Sequence, residues 1–293
     1  HQGLMFTPQK RIIWLTSYPK SGNTWMRLFL HALHTGSSEL LNLEDIEATS
    51  GIASSRALID NNLGVYTSDM PDLDVQKLRG EAYKYWSSVL TDDVIVKVHD
   101  AAFHRGIVTF PKEVTKKVIF IVRNPFDMVA SYANHMGCDI KMAVWMLCDG
   151  NNTLAKSKNR LGTQVAQYMG SWSDYYHSWK NLYRDEMIVA RYEDMKHDSL
   201  NTFRKVVDTL GWNKTDEDIL KALEASKFDK VKSLENDKGF KEKPPKTEAF
   251  FRKGQTGGWK NEITAEQAQI LVDRHFYTLL ELGYIDEKGV ILV

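Results

Sequence analysis

Residues 11–34 run without interruption through an apolar, β-branched stretch (Arg11 to Ser17, RIIWLTS), a turn holding Pro, Lys, Ser and Gly (YPKSGN), and an apolar-periodic helix from Thr24 to His34. A strand, a glycine turn and a helix in direct succession leave few folds open, because such a strand is buried on both faces and joined to parallel neighbours by helices. Val94 to His99 (VIVKVH), Lys117 to Val122 (KVIFIV) and Met187 to Arg191 (MIVAR) supply those neighbours. Asn124 and Pro125, directly after KVIFIVR, give an N-cap and a first-turn proline for a helix through His135. The alternation predicts an α/β fold, a central and mostly parallel sheet flanked by helices, in a single domain over residues 1–293 with a flexible N-terminus over 1–10.

Between Cys138 and Trp179 the sequence predicts a mostly helical insert without a β signal, and beyond Ser199 the chain is helical again. Thr215 with Asp218, and Thr264 with Gln267, read as capping boxes. Asn236 to Lys260 is a long loop rich in Lys, Pro and Gly, of a length that is either functional or disordered. Thirty-eight basic residues balance thirty-eight acidic ones, which disfavours a nucleic-acid surface held by bulk charge; an anion site has to be local. Cys138 and Cys148 lack CxxC or Cys/His ligand spacing, which suits reduced thiols of a cytosolic enzyme better than a disulfide or a metal site. No apolar run reaches the length of a membrane span, and HQGLMFTPQK has neither the basic nor the apolar region of a signal peptide. The expectation is a cytoplasmic protein with no membrane or nucleic-acid partner.

Chemistry concentrates in the turn Tyr18 to Trp25. A helix N-terminus offers N–H groups and the positive end of a dipole, so a glycine turn there with a lysine and two hydroxyls can cradle a phosphate. Spacing alone equally allows a plain βα connection with Lys20 in solvent. The pattern GxxxxGK[ST] is absent, which disfavours a Walker-type nucleoside triphosphatase with hydroxyl-bound magnesium.

Four segments in order carry a family resemblance: YPKSGNTW after the first strand, VKVH at Val96 to His99, VIFIVRNPFDMVASY at Val118 to Tyr132, and RKGQTGGWKN at Arg252 to Asn261. Together they resemble the cytosolic-type sulfotransferases, which use 3′-phosphoadenosine-5′-phosphosulfate (PAPS) and release 3′-phosphoadenosine-5′-phosphate (PAP). The resemblance implies a P-loop-like nucleotide-binding fold. It implies that Lys20, Ser21, Gly22, Asn23, Thr24 and Trp25 hold the 5′-phosphosulfate, and that Arg123 and Ser131 hold the 3′-phosphate. Arg252, Lys253 and Gly254 would clamp the same phosphate from a loop closing over the nucleotide. Trp25, Tyr192 and Phe228 would surround the adenine, with Ser226 hydrogen-bonded to it.

The same resemblance makes His99 the candidate general base, since a side chain titrating near neutrality suits proton removal from a hydroxyl. Lys20 would donate to the bridging oxygen, and Lys97, two residues before His99, would stabilise the transferred oxygens. The implied reaction is in-line sulfuryl transfer to a hydroxyl or amine of a small-molecule acceptor, without a metal. Leu40 to Trp86 and Cys138 to Trp179 would form most of the acceptor pocket, the latter resembling bacterial small-molecule and glycopeptide sulfotransferases. Asn23 and Gly258 depart from the family's usual Thr and Asp. A short dimer motif is matched at Lys260 and Thr264 but not at Ala265 and Gln269, leaving monomer and homodimer open. Two other readings compete: a small-molecule kinase on the same sheet edge, and an inactive PAP-binding scaffold.

Overall fold

The computed structural model describes residues 6–36, 51–155, 162–227 and 257–293. In chain order these hold β1 (Ile12–Ser17), α1 (Asn23–Thr35), β2 (Gly51–Ile52), α2 (Arg56–Leu63), α3 (Asp72–Val89), β3 (Val94–Val98), β4 (Phe103–His104), β5 (Ile107–Val108), β6 (Thr115–Val122), α4 (Pro125–Met136) and α5 (Ile140–Cys148). Then follow β7 (Thr153–Leu154), β8 (Gln167–Tyr168), α6 (Trp172–Tyr183), β9 (Met187–Arg191), α7 (Tyr192–His197), α8 (Ser199–Thr209), α9 (Asp216–Ala225) and α10 (Ala265–Glu281).

Five strands form one parallel sheet in the order β2-β3-β1-β6-β9. Alternation along the buried strands sends Ile12, Trp14, Val118 and Phe120 into a core with α4 and α6, and Ile13, Leu15, Ile119 and Ile121 into a second core with α1, α8 and α9. Both faces are therefore covered, which is why these strands read as continuous apolar runs. No helix among the described residues is long and apolar enough to cross a membrane.

The four main strands agree with the sequence reading to within two residues at each end, and Asn124 caps α4 with Pro125 in its first turn, its side chain accepting from the Asp127 amide at 2.9 Å. Both expected capping boxes are present, with a third at Ser171 and Asp174. The insert needs correction: Thr153–Leu154 pairs antiparallel with Gln167–Tyr168, and Ser55 bridges to Gln164. Two-residue ladders are too short to display a period of two, so they left no signal. At the N-terminus, Phe6 packs edge-on against Tyr85 and the Gln9 amide donates to Ser87 Oγ.

Strand register brings the carboxyl ends to one edge: Thr16 lies beside Val98, Ser17 beside Ile121, and Val122 beside Arg191. The residues that follow these ends, Tyr18, His99, Arg123 and Tyr192, emerge together. The strand order reverses at β1, since β3 lies on one side and β6 on the other, and open α/β sheets bind ligands outside such a point.

Candidate active site

The turn between β1 and α1 is built by backbone conformation. Lys20 has φ +69° and Gly22 φ +102°, both left-handed, and Gly22 starts α1 with no side-chain cap. The amides of Asn23, Thr24 and Trp25 therefore form an uncapped helix N-terminus at the sheet edge. A Cβ on Gly22 would lie 2.7 Å from Cδ2 of Tyr192, so only glycine fits between the turn and that ring. Asn23 braces the turn from below, its amide donating to Leu15 O at 3.1 Å and Ser17 Oγ at 3.2 Å. That side chain serves the scaffold, which accounts for Asn where the pattern has a smaller residue. Ser21 is buried, with its hydroxyl 3.8 Å from Met128 Sδ of α4.

Arg123 follows β6 and is only 5% exposed, its guanidinium donating to Lys20 O at 3.2 Å and standing 4.7 Å from the centre of the Tyr192 ring. Trp172 Nε1 fixes its main chain by donating to Arg123 O at 3.2 Å. Ser131, half-buried, lies on α4 two helical turns beyond Arg123. Burial raises the Tyr192 phenol above its usual value, with Arg123 pulling it back, so the ring faces the turn neutral. Trp25 stands 6.2 Å edge-on from Tyr192 and 5.2 Å from Phe203. Its Nε1 is a buried donor without a hydrogen-bond partner among the described residues. Ser226 is wholly buried at the end of α9, which packs on α1, and its hydroxyl donates to Ala222 O at 2.9 Å. Phe228, Arg252, Lys253, Gly254 and most of the loop 236–260 lie outside the described residues.

His99 stands just past β3, half-buried, with Nδ1 2.7 Å from Ser17 O. A carbonyl can only accept, so Nδ1 carries the proton in this contact, and in the neutral form that tautomer places the ring's lone pair on Nε2. Lys97 is 8% exposed. Lys20 and Lys97 both act on His135 of α4, whose pKa is lowered to about 3, chiefly by burial and then by these two cations. Both lysines thus act electrostatically on an imidazole held neutral, a neighbour the sequence reading missed. Its spacing was available: His135 is four residues after Ser131, on the same helix face.

A second unforeseen group backs the histidine. Arg79 of α3 donates to both carboxylate oxygens of Asp100, at 2.6 and 2.9 Å, with both side chains buried. Beside it Asn152 donates to the Tyr18 and Tyr132 hydroxyls at 2.6 and 2.8 Å, and Tyr18 donates to Gly170 O at 3.1 Å. Burial raises both phenols, leaving this side of the pocket neutral and aromatic.

The turn Gly258–Asn261 is anchored on α4. The Gly257 and Trp259 amides donate to the Asp127 carboxylate at 2.7 and 3.0 Å, so a side chain of α4 satisfies the turn where Gly258 supplies no carboxylate of its own. Trp259 packs on Phe126 and donates to Val293 O.

A family model described as Sulfotransferase domain matches residues 10–281. Sulfotransferase 2A1 of Rattus norvegicus is 33% identical over 165 residues, 52% of this chain, and the matched stretch spans about half (53%) of the rat protein's length. Among solved structures, a mouse sulfotransferase complexed with PAP aligns over 97% of this chain and 88% of its own, at TM-score 0.59 and 19% identity. A retinol dehydratase in complex with retinol and PAP aligns over 92% and 82%, at TM-score 0.61 and 17% identity.

Proposed function

The chain belongs to the PAPS-dependent sulfotransferase family, and from that premise we propose that it moves a sulfuryl group from PAPS to a hydroxyl or amine of a small-molecule acceptor. The observation that carries the reading is the meeting at one sheet edge of an uncapped helix N-terminus, a buried arginine that donates to the turn before it, and a histidine whose Nδ1 proton is committed to a carbonyl. The residues fit an anionic adenine nucleotide: the backbone at Gly22 leaves no room for a side chain, and Trp25 Nε1 is a buried donor without an acceptor among the described residues.

In this reading the amides of Asn23, Thr24 and Trp25 with Lys20 bind the 5′ end, and Arg123 with Ser131 binds the 3′-phosphate. Arg252, Lys253 and Gly254 are the proposed second clamp, and Tyr192, Phe228 and Ser226 the adenine contacts. PAPS, when bound, supplies the activated sulfuryl group. His99 Nε2 accepts the acceptor's proton as its oxygen or nitrogen attacks in line. Lys20 neutralises charge growing on the leaving phosphate, and Lys97 the equatorial oxygens. The protein mainly positions reactants and stabilises charge, so no metal is required of it.

A neighbour that holds retinol and the neutral aromatic wall of Tyr18, Tyr132 and Tyr175 favour an apolar or aromatic acceptor. Purified protein is expected to gain far more thermal stability from PAP than from ADP at equal concentration. Equal shifts, or a larger one with ADP, would sink the proposal and favour the kinase reading. His99→Ala is expected to abolish transfer to 4-nitrophenol or to acceptors in a metabolite extract, while PAP affinity stays within about twofold.

A further inference from the structure

We propose that Arg79 is a positioning residue for His99: through its buried ion pair with Asp100 it fixes the segment that presents the imidazole to the acceptor. The proposal rests on the reading of His99 given above.

Every residue from Val98 to Ala102 is held by a hydrogen bond from outside the segment. Val98 O accepts from Tyr175 Oη at 3.4 Å, the same hydroxyl that meets Thr16 Oγ1 at 2.6 Å. His99 Nδ1 donates to Ser17 O at 2.7 Å. The Asp100 carboxylate is gripped by Arg79, and its carbonyl accepts from Trp179 Nε1 at 3.0 Å. The Ala101 amide donates to Tyr168 O at 2.9 Å, and the Ala102 amide to Ser178 Oγ at 2.9 Å. Four of these restraints are neutral hydrogen bonds from the insert and α6. The Arg79 fork is made by two charges, and it reaches this segment from α3.

Arg79 is itself fully constrained. Its Nε donates to Tyr83 Oη at 3.0 Å, Tyr83 donates to Ala53 O at 2.5 Å, and its guanidinium carbon lies 5.5 Å from the Phe110 ring centre. A buried ion pair adds little stability over a well-packed apolar pair. What a two-pronged fork adds is direction, since it sets the carboxylate plane and with it the main chain at Asp100. The adjacent imidazole keeps its 2.7 Å bond to Ser17 O only while that main chain is fixed.

The test needs no acceptor. In protein labelled with ¹⁵N-histidine, long-range ¹H–¹⁵N spectra at pH 7 report each imidazole tautomer, and His99 is identified by its loss in His99→Gln. The wild-type ring is expected as the Nδ1–H tautomer. In Arg79→Met/Asp100→Leu, which removes both charges together, the His99 signals are expected to move towards the average of the two tautomers, with PAP affinity unchanged. Asp100→Asn, which keeps the side-chain shape and one acceptor, is expected to fall between. His99 signals identical to wild type in either variant overturn the proposal, as does a lowered melting temperature with the tautomer intact. Retained transfer in His99→Ala would instead sink the base assignment and leave the tautomer result standing.

Discussion

Gly22 carries two constraints at once, a left-handed φ of +102° and a ring atom 2.7 Å from where a Cβ would sit. Gly22→Ala is therefore expected to cost about 1–3 kcal/mol in urea unfolding. It should also weaken PAP binding at least about tenfold, because Tyr192 must move off the turn. His135 and His275 make a different kind of prediction. Their pKa values are lowered to about 3 and about 4, both mainly by burial. For His135, Lys20 and Lys97 add to the effect; for His275, Asp174 pulls back and Arg274 pushes further. The unfolded chain binds these protons near the ordinary histidine value of about 6.5, so it holds more protons than the native state at lower pH. The stability involved is present above about pH 6.5 and is lost as pH falls towards 4 and 3. Melting temperature is expected to decline from pH 6.5 to 4.5, ahead of most carboxylate titration, and His275→Gln to flatten that decline. Residues of this kind were the least legible in the sequence. His99, Lys20 and Arg123 sat in recognisable segments, whereas Arg79 and Asp100 are 21 positions apart and acquire meaning only when α3 packs against the end of β3.

At the scale of elements, the N-terminal turn of α4 ties separate stretches together. Asn124 caps the helix and donates to Asp127 and Glu193, Glu193 accepts from Tyr284, and Asp127 receives the Gly257 and Trp259 amides. Asp127→Ala leaves two partly buried amides without their acceptor and is expected to destabilise the fold by about 1–3 kcal/mol. Limited proteolysis should then cut first near Gly258–Asn261, and a cleavage pattern like wild type would count against this anchoring. The caps at Asn124, Thr215 and Thr264 were readable because a cap is a local event. The pairs β4–β5 and β7–β8 were not, because each has two residues per strand and owes its existence to what lies beside it. Ala101, for example, bonds to Tyr168 at the end of β8.

For the whole molecule, the sheet's parallel character followed from runs apolar on both faces, while its strand order did not, because order depends on which helices cover which face. Central placement predicts rank in hydrogen exchange. Amides of β1 and β6, paired on both sides and buried, should exchange last, and those of β2 and β9, at the sheet edges, earlier. Exchange of β1 amides as early as those of β9 would contradict a single cooperative sheet.

Because β1 pairs with β3 and β6, the most central strand is made before both of its neighbours. Ile12 and its partner Val94 are separated by 82 residues. At about 5–20 residues per second, the ribosome leaves β1 without either neighbour for roughly 4–16 s. During synthesis the segment IIWLTS is thus an apolar strand with two open edges, which makes it the natural point of capture for a chaperone and the first place where crowded expression would lead to aggregation.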